Sequence, residues 1–198
     1  MGINITKPQN CLLGCCLPLE KQQFLDHFNG RQERDFIRSQ FAAYSDYSGE
    51  SMWTTVYGLF ASTIKGLLED VRKTGVTVLE RFSLHDLPKL SGFDVFTILA
   101  HYNDKDEMIE LFDGLCSKSN FVIALPDAFT GIYDLTACNG SLIRDEIRKR
   151  LTNQIISYKD TLPIIQMLII YKHVILNLEK RPINYIDCFD KTITDLLN

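Results

Sequence analysis

The sequence lacks a run of about 18 apolar residues, which is the length that a membrane-spanning helix needs. The longest apolar stretch lies at 164–178, and Gln166, Tyr171, Lys172 and His173 interrupt it. A buried helix explains that stretch better than a membrane segment does. We therefore expect no membrane span.

The sequence also lacks an excess of basic residues, because 21 Lys and Arg stand against 25 Asp and Glu and the net charge is −4. Nucleic-acid-binding domains are usually basic, so we expect no nucleic-acid partner. Hydrophobic residues make up 45% of the chain and charged residues 23%, which is typical of soluble globular proteins and argues against disorder of the whole chain. A length of 198 residues is enough for one large domain with a proper core.

A secretory signal and a Gly-rich phosphate loop are two further features that we do not find. Without a signal peptide, and in a chain too long to need a disulfide framework, the cysteines indicate a reducing cytoplasm, where a thiol can do chemistry. No second Cys or His pair has ligand spacing with Cys15 and Cys16, so we expect neither a metal nor a cofactor. The six cysteines are Cys11, Cys15, Cys16, Cys116, Cys138 and Cys188.

The order of the predicted elements indicates an α/β domain with a mostly parallel central sheet flanked by helices. Apolar residues recur at helical spacing over 52–73, and Gly75 follows as a stop. The run 95–100 is apolar almost throughout, as in a strand that is buried on both faces. The remaining predicted strands are 11–17, 76–82, 131–137 and 154–157, and the remaining predicted helices are 19–28, 31–42, 117–125, 141–151, 162–178 and 184–197.

The part of the chain before residue 76 is patterned too weakly to assign. It either supplies the first strand and helix of the same fold, or residues 1–50 form a regulatory or docking segment. We predict one domain over residues 1–198, because a separate N-terminal domain would leave the α/β part rather small. Any regulator is then expected to be a separate protein chain.

Two reactive side chains follow directly after two predicted buried strands. His101 comes after the strand 95–100, and Cys138 comes after the strand 131–137. If both strands are parallel neighbours, the two side chains emerge at the carboxyl edge of the sheet, where ligands bind in open α/β folds. An imidazole beside a thiol raises the thiolate fraction and can later protonate a leaving amine. The pair therefore offers a nucleophile and a general acid–base.

The residues around this pair resemble caspase-like cysteine peptidases, most closely their CHAT branch. The resemblance lies in the stretch 93–101 (FDVFTILAH) and in the stretch 132–140 (IYDLTACNG), and it extends from about residue 76 to the C-terminus. It implies a caspase-like three-layer sandwich with His101 and Cys138 as the catalytic dyad. The segment 109–114 is similar to the family's β-hairpin-like insertion, and 119–126 is similar to the helix before the cysteine strand.

The resemblance also implies roles for the neighbours of the dyad. The backbone N–H groups of Tyr102 and Cys138 would form the oxyanion hole, although the family usually has Gly directly after the His. Thr136 and Asn139, on either side of Cys138, are the candidate substrate contacts. Thr136 occupies the position at which some basic-specific relatives carry an acidic residue. We expect Asp134, like Asp94, to be structural.

The first functional hypothesis is a cysteine endopeptidase that cleaves a specific partner protein, in a regulated pathway of the defence or cell-death kind. The alternative is a catalytically inactive pseudopeptidase that serves as a protein-interaction module, and Tyr102 in place of Gly is its main support. A third, weaker hypothesis is an α/β domain that binds a small molecule. Proteins are thus the expected partners, as substrate and as regulator.

Overall fold

The computed structural model describes residues 10–29, 46–103, 107–137, 140–180 and 183–197. Within these ranges the strands are β1 (Cys11–Cys15), β2 (Thr77–Glu80), β3 (Val95–Leu99), β4 (His101–Asn103), β5 (Met108–Leu111), β6 (Gly114–Ser117), β7 (Ile132–Ala137) and β8 (Ile155–Leu162). The helices are α1 (Lys21–Asn29), α2 (Gly49–Met52), α3 (Gly58–Arg72), α4 (Lys118–Ala124), α5 (Gly140–Arg150), α6 (Ile164–Lys180) and α7 (Tyr185–Leu197). A π-helical segment, Trp53–Tyr57, joins α2 to α3, and a 3₁₀ segment, Leu84–Gly92, precedes β3.

Five strands form one parallel sheet in the order β2-β1-β3-β7-β8. The strand order reverses between β1 and β3, so the chain winds outward from the centre of the sheet in both directions. All five residues of β3 are buried, as the apolar run predicted. The α/β class with a parallel central sheet is confirmed.

Helices pack against both faces of this sheet, which explains why its central strands are apolar on both sides. Phe96 of β3 and Tyr133 of β7 share a buried cluster with Phe121 of α4 and Ile147 of α5. The hydroxyl of Tyr185, at the start of α7, reaches the opposite face. None of the described helices is both long enough and apolar enough to cross a membrane.

A second, antiparallel sheet of three strands follows β3 directly, in the order β4-β5-β6. The prediction of a hairpin at 109–114 is confirmed, since β5 and β6 pair and reverse at Phe112 and Asp113. The predicted end of the preceding strand needs a correction. β3 ends at Leu99, and His101 is the first residue of β4.

The chain divides into two compact units, one formed by residues 18–67 and the other by the rest of the chain. Within the first unit, an aromatic cluster joins α1 to the π-helical segment, with the ring centroids of Phe24 and Tyr57 4.2 Å apart and those of Phe24 and Trp53 5.5 Å apart. The predicted helix at 31–42 lies outside the described residues. The assignment of residues 1–50 as part of a single domain or as a regulatory segment stays a prediction, because 1–9 and 30–45 also lie outside them.

Asp134 is fully buried in the middle of the parallel sheet, on β7, where it pairs in register with Thr97 of β3. The Tyr185 hydroxyl donates a hydrogen bond of 2.7 Å to its Oδ2 atom. A carboxyl group at such a depth is costly unless it is hydrogen-bonded. The expectation that Asp134 is structural agrees with this placement, and Asp94 likewise accepts a backbone bond of 3.0 Å from the Asn10 N–H.

Replacing Tyr185 by Phe should lower the free energy of unfolding by about 2 kcal/mol or more, because it removes a hydrogen-bond donor from a buried carboxyl group. Urea unfolding followed by circular dichroism measures this. The matched control is Tyr133→Phe, since the buried Tyr133 hydroxyl has no hydrogen-bond partner in the described part of the chain. The control should change stability by less than about 1 kcal/mol. Equal losses in the two variants would contradict the importance of the Tyr185–Asp134 bond.

Candidate active site

The carboxyl ends of β1, β3 and β7 lie at the same edge of the sheet, because these strands are parallel neighbours. Cys15 pairs with Leu99 in register, and the Cys16 N–H continues the pairing with a bond of 2.9 Å to the Leu99 carbonyl. β7 ends at Ala137. The sheet therefore brings the residues that follow β3 and β7 to its carboxyl edge, where open α/β sheets bind ligands.

His101 stands two residues beyond the end of β3 and opens the second sheet. Its side chain is mostly buried, with the Nδ1 atom inside the fold, and its register partner across the antiparallel pair is Glu110 of β5. Glu110 pairs in turn with Leu115 of β6, so these three residues form one row across the small sheet. The structure therefore places a carboxylate directly opposite the predicted catalytic imidazole. Sequence reasoning missed this relation, and only the register of the hairpin could have revealed it.

Tyr102 belongs to the opposite face of the small sheet, where its side chain is 2% exposed. It packs in the core cluster with Ile109, its register partner, and with Cys116. The position directly after the His, where caspase-like peptidases usually have Gly, is thus occupied here by a core residue. β4 lies at the edge of its sheet, and successive N–H groups of an edge strand alternate between the partner strand and the outer side. The oxyanion-hole role of the Tyr102 N–H stays a prediction.

The other predicted site residues are described only in part. Thr136 is the fifth residue of β7. Cys138 and Asn139 lie outside the described residues. The structure thus describes the imidazole side of the predicted dyad, and the roles assigned to Thr136, Cys138 and Asn139 stay predictions.

The remaining cysteines are buried, which disfavours their thiolate forms. Burial raises the pKa of Cys11 and of Cys15 to about 12, with the charges of Asp94 and Glu80 respectively adding to the increase. Burial raises the pKa of Cys16 well above its ordinary value too.

Cys116 and Cys188 are also held inside the fold. Burial and the nearby Asp113 raise the pKa of Cys116, which lies in β6. The Cys188 thiol donates a long hydrogen bond of 3.5 Å to the Val174 carbonyl. Both agree with a structural interpretation.

A cavity of about 350 Å³ lies at the opposite, amino-terminal edge of the sheet, before β7 and β8. Arg150 in its wall donates to the Ile123 carbonyl at 2.9 Å and to Asp127 at 2.5 Å. Asn153 donates to the carbonyls of Phe129 and Gly131 at 2.8 and 2.9 Å. These polar groups are used by the fold itself, and the cavity is not part of the carboxyl edge.

No group of three or more His, Cys, Asp or Glu side chains in the described ranges is arranged to hold a metal ion. No protein-family model, curated protein or solved structure matches the chain. The family resemblance therefore rests on the residues quoted for it.

At pH 7.5, Cys11 and Cys15 should react with iodoacetamide more slowly than an ordinary thiol by roughly a thousandfold or more, because a pKa near 12 leaves almost no thiolate. Their rates should rise about tenfold with each pH unit for as long as the protein stays folded. Peptide mass spectrometry after timed labelling measures the rates. The same protein in urea is the control, in which all cysteines should label alike. Rapid labelling of either residue in the folded protein would show that these thiols are not buried as described.

Proposed function

We propose that the chain is a cysteine endopeptidase of caspase-like fold. Cys138 attacks a peptide carbonyl as the thiolate, and His101 takes the thiol proton and passes it to the leaving amine. Water then hydrolyses the acyl-enzyme with His101 as the base, which returns the free thiol. The backbone N–H groups of Tyr102 and Cys138 bind the oxyanion, and Thr136 and Asn139 contact the substrate.

The observation that carries this proposal is the pairing of β3 with β7. The two strands are parallel neighbours, and their register pairs residues 37 positions apart, such as Thr97 with Asp134. His101 and Cys138 are separated by the same number of residues in the sequence. With this offset, positions 101 and 138 correspond to each other along the two parallel strands. That correspondence supports a site that combines one residue following β3 with one residue following β7.

Two further features support the caspase-like fold in particular. A parallel sheet with helices on both faces is compatible with a three-layer sandwich. The antiparallel insert β4-β5-β6 stands where the family has a hairpin-like insertion, between the strand of the His and the helix that precedes the strand of the Cys. We further propose that the enzyme works in the cytoplasm, on a protein substrate, under the control of a separate protein.

The pseudopeptidase alternative is favoured by one observation, the burial of Tyr102. A side chain that is 2% exposed and held in the core fixes the backbone directly after His101. If that backbone turns its N–H toward β5, the oxyanion hole loses a donor and the fold becomes an interaction module. Measurement of thiol activation and of peptide cleavage separates the two functions.

Cys138 should react with iodoacetamide at pH 7 at least about tenfold faster than the cysteines of the urea-unfolded protein do, because the imidazole of His101 favours the thiolate. His101→Gln should remove that advantage, and His85→Gln, at an exposed histidine on the 3₁₀ segment, should not. Site-resolved mass spectrometry of the folded proteins between pH 6 and 9 gives the rates. If Cys138 of the folded wild type reacts no faster than the cysteines of the unfolded protein, the peptidase proposal fails.

A peptide library provides the second measurement. The wild type should produce cleaved peptides that are absent with Cys138→Ala, and His101→Gln should reduce cleavage about a hundredfold or more. Circular dichroism shows that the variants are folded. Cleavage that persists in Cys138→Ala would identify another nucleophile or a contaminant and would overturn the assignment.

A further inference from the structure

We propose that Glu110 is a positioning residue for His101. From the neighbouring strand of the small sheet it orients the imidazole and favours its protonated, positively charged form. This inference rests on the proposed function, because it supplies the third member of the Cys138–His101 site. No sequence motif points to Glu110. The inference comes from the register of β4 and β5.

The register places the two side chains directly opposite each other. His101 pairs with Glu110, and the next pair along the strands is Tyr102 with Ile109. Directly opposed residues of an antiparallel pair extend their side chains to the same face, with Cβ atoms about 4.5–5.5 Å apart. A glutamate carboxylate at that separation can accept a hydrogen bond from an imidazole N–H.

Burial holds this register in place. Tyr102 and Ile109 are 2% and 1% exposed and belong to the core cluster, while His101 and Glu110 are partly exposed on the other face. A slip of β4 by one residue on β5 would turn His101 into the core and Tyr102 out of it. The core therefore keeps the imidazole and the carboxylate opposed.

The chemistry of the pair matches what the proposed nucleophile requires. A carboxylate that accepts from one ring nitrogen of His101 fixes the tautomer, so that the other nitrogen faces the thiol. The same carboxylate stabilises the imidazolium that forms when the thiol loses its proton. His101 and Glu110 are both partly exposed, and solvent screening therefore limits the strength of their interaction.

A second carboxylate on the same insert provides a matched comparison. Glu107 lies in the turn before β5 and forms an ion pair of 2.9 Å with Lys118, at the start of α4. That contact raises the pKa of Lys118. Glu107 is thus already engaged by a cation, and it lies outside the described register of β4 with β5. Removing the charge of Glu107 therefore shows what the loss of a glutamate charge elsewhere on the same insert does to His101.

The decisive experiment is a titration of the histidine imidazoles by nuclear magnetic resonance. The chain has four histidines, so His101→Gln assigns the signal of His101 by its disappearance. In Glu110→Gln the pKa of His101 should fall by about one-half to one pH unit, because the imidazolium loses its carboxylate. In Glu107→Gln it should stay within about 0.2 of a pH unit of the wild type. An unchanged His101 pKa in folded Glu110→Gln overturns the proposal.

The labelling rate of Cys138 then shows whether the pair serves the nucleophile. Glu110→Gln should lower that rate at pH 7 about threefold to tenfold, and Glu110→Asp, which keeps the charge, should recover part of the loss. The two proposals can fail separately. A shifted His101 pKa with Cys138 no more reactive than a cysteine of the unfolded protein supports the pair and overturns the peptidase. An activated Cys138 with an unshifted His101 pKa supports the peptidase and overturns the role of Glu110.

Discussion

The parallel pairing of β3 with β7 is the constraint on which the rest of the structure depends. Two parallel neighbours cannot be joined by a tight turn, so the chain must return from the carboxyl edge of the sheet to its amino edge before β7 begins. The antiparallel insert β4-β5-β6 and the helix α4 make up most of that return. The pairing thus determines both the edge at which β3 and β7 end and the place of the small sheet beside that edge. His101 stands at the junction of the two sheets.

The same pairing explains the buried carboxyl group at the centre of the fold. Asp134 lies beside Thr97 because of the β3–β7 register, and the sheet gives it no access to water. Burial and the charge of Asp134 raise the pKa of Tyr185 well above its ordinary value, so its hydroxyl keeps its proton and serves as the donor. The last helix, α7, is in this way tied to a central strand by a polar bond as well as by apolar packing.

The sequence predicted those elements whose signals are local. The apolar run of β3 and the helical spacing of α6 and α7 are read from neighbouring residues, and the structure confirms them. β4 was missed because three residues are too few to show a period, and it forms only by pairing with β5. β8 was predicted to end at Ser157, since the polar residues Lys159 and Asp160 hide its continuation to Leu162. The opposition of His101 and Glu110 depends on a hairpin register, which no single stretch of sequence encodes.

The position after His101 shows how packing and chemistry compete in one short strand. A glycine there would leave the backbone free to aim its N–H at a substrate, but it would remove a side chain that is 2% exposed and anchors β4 to the core through Ile109 and Cys116. Without that anchor the register of β4 on β5 would have less to hold it, and His101 would lose its fixed position opposite Glu110. Tyr102 therefore restricts the backbone after His101 and, by holding β4 in register with β5, fixes the position of the imidazole.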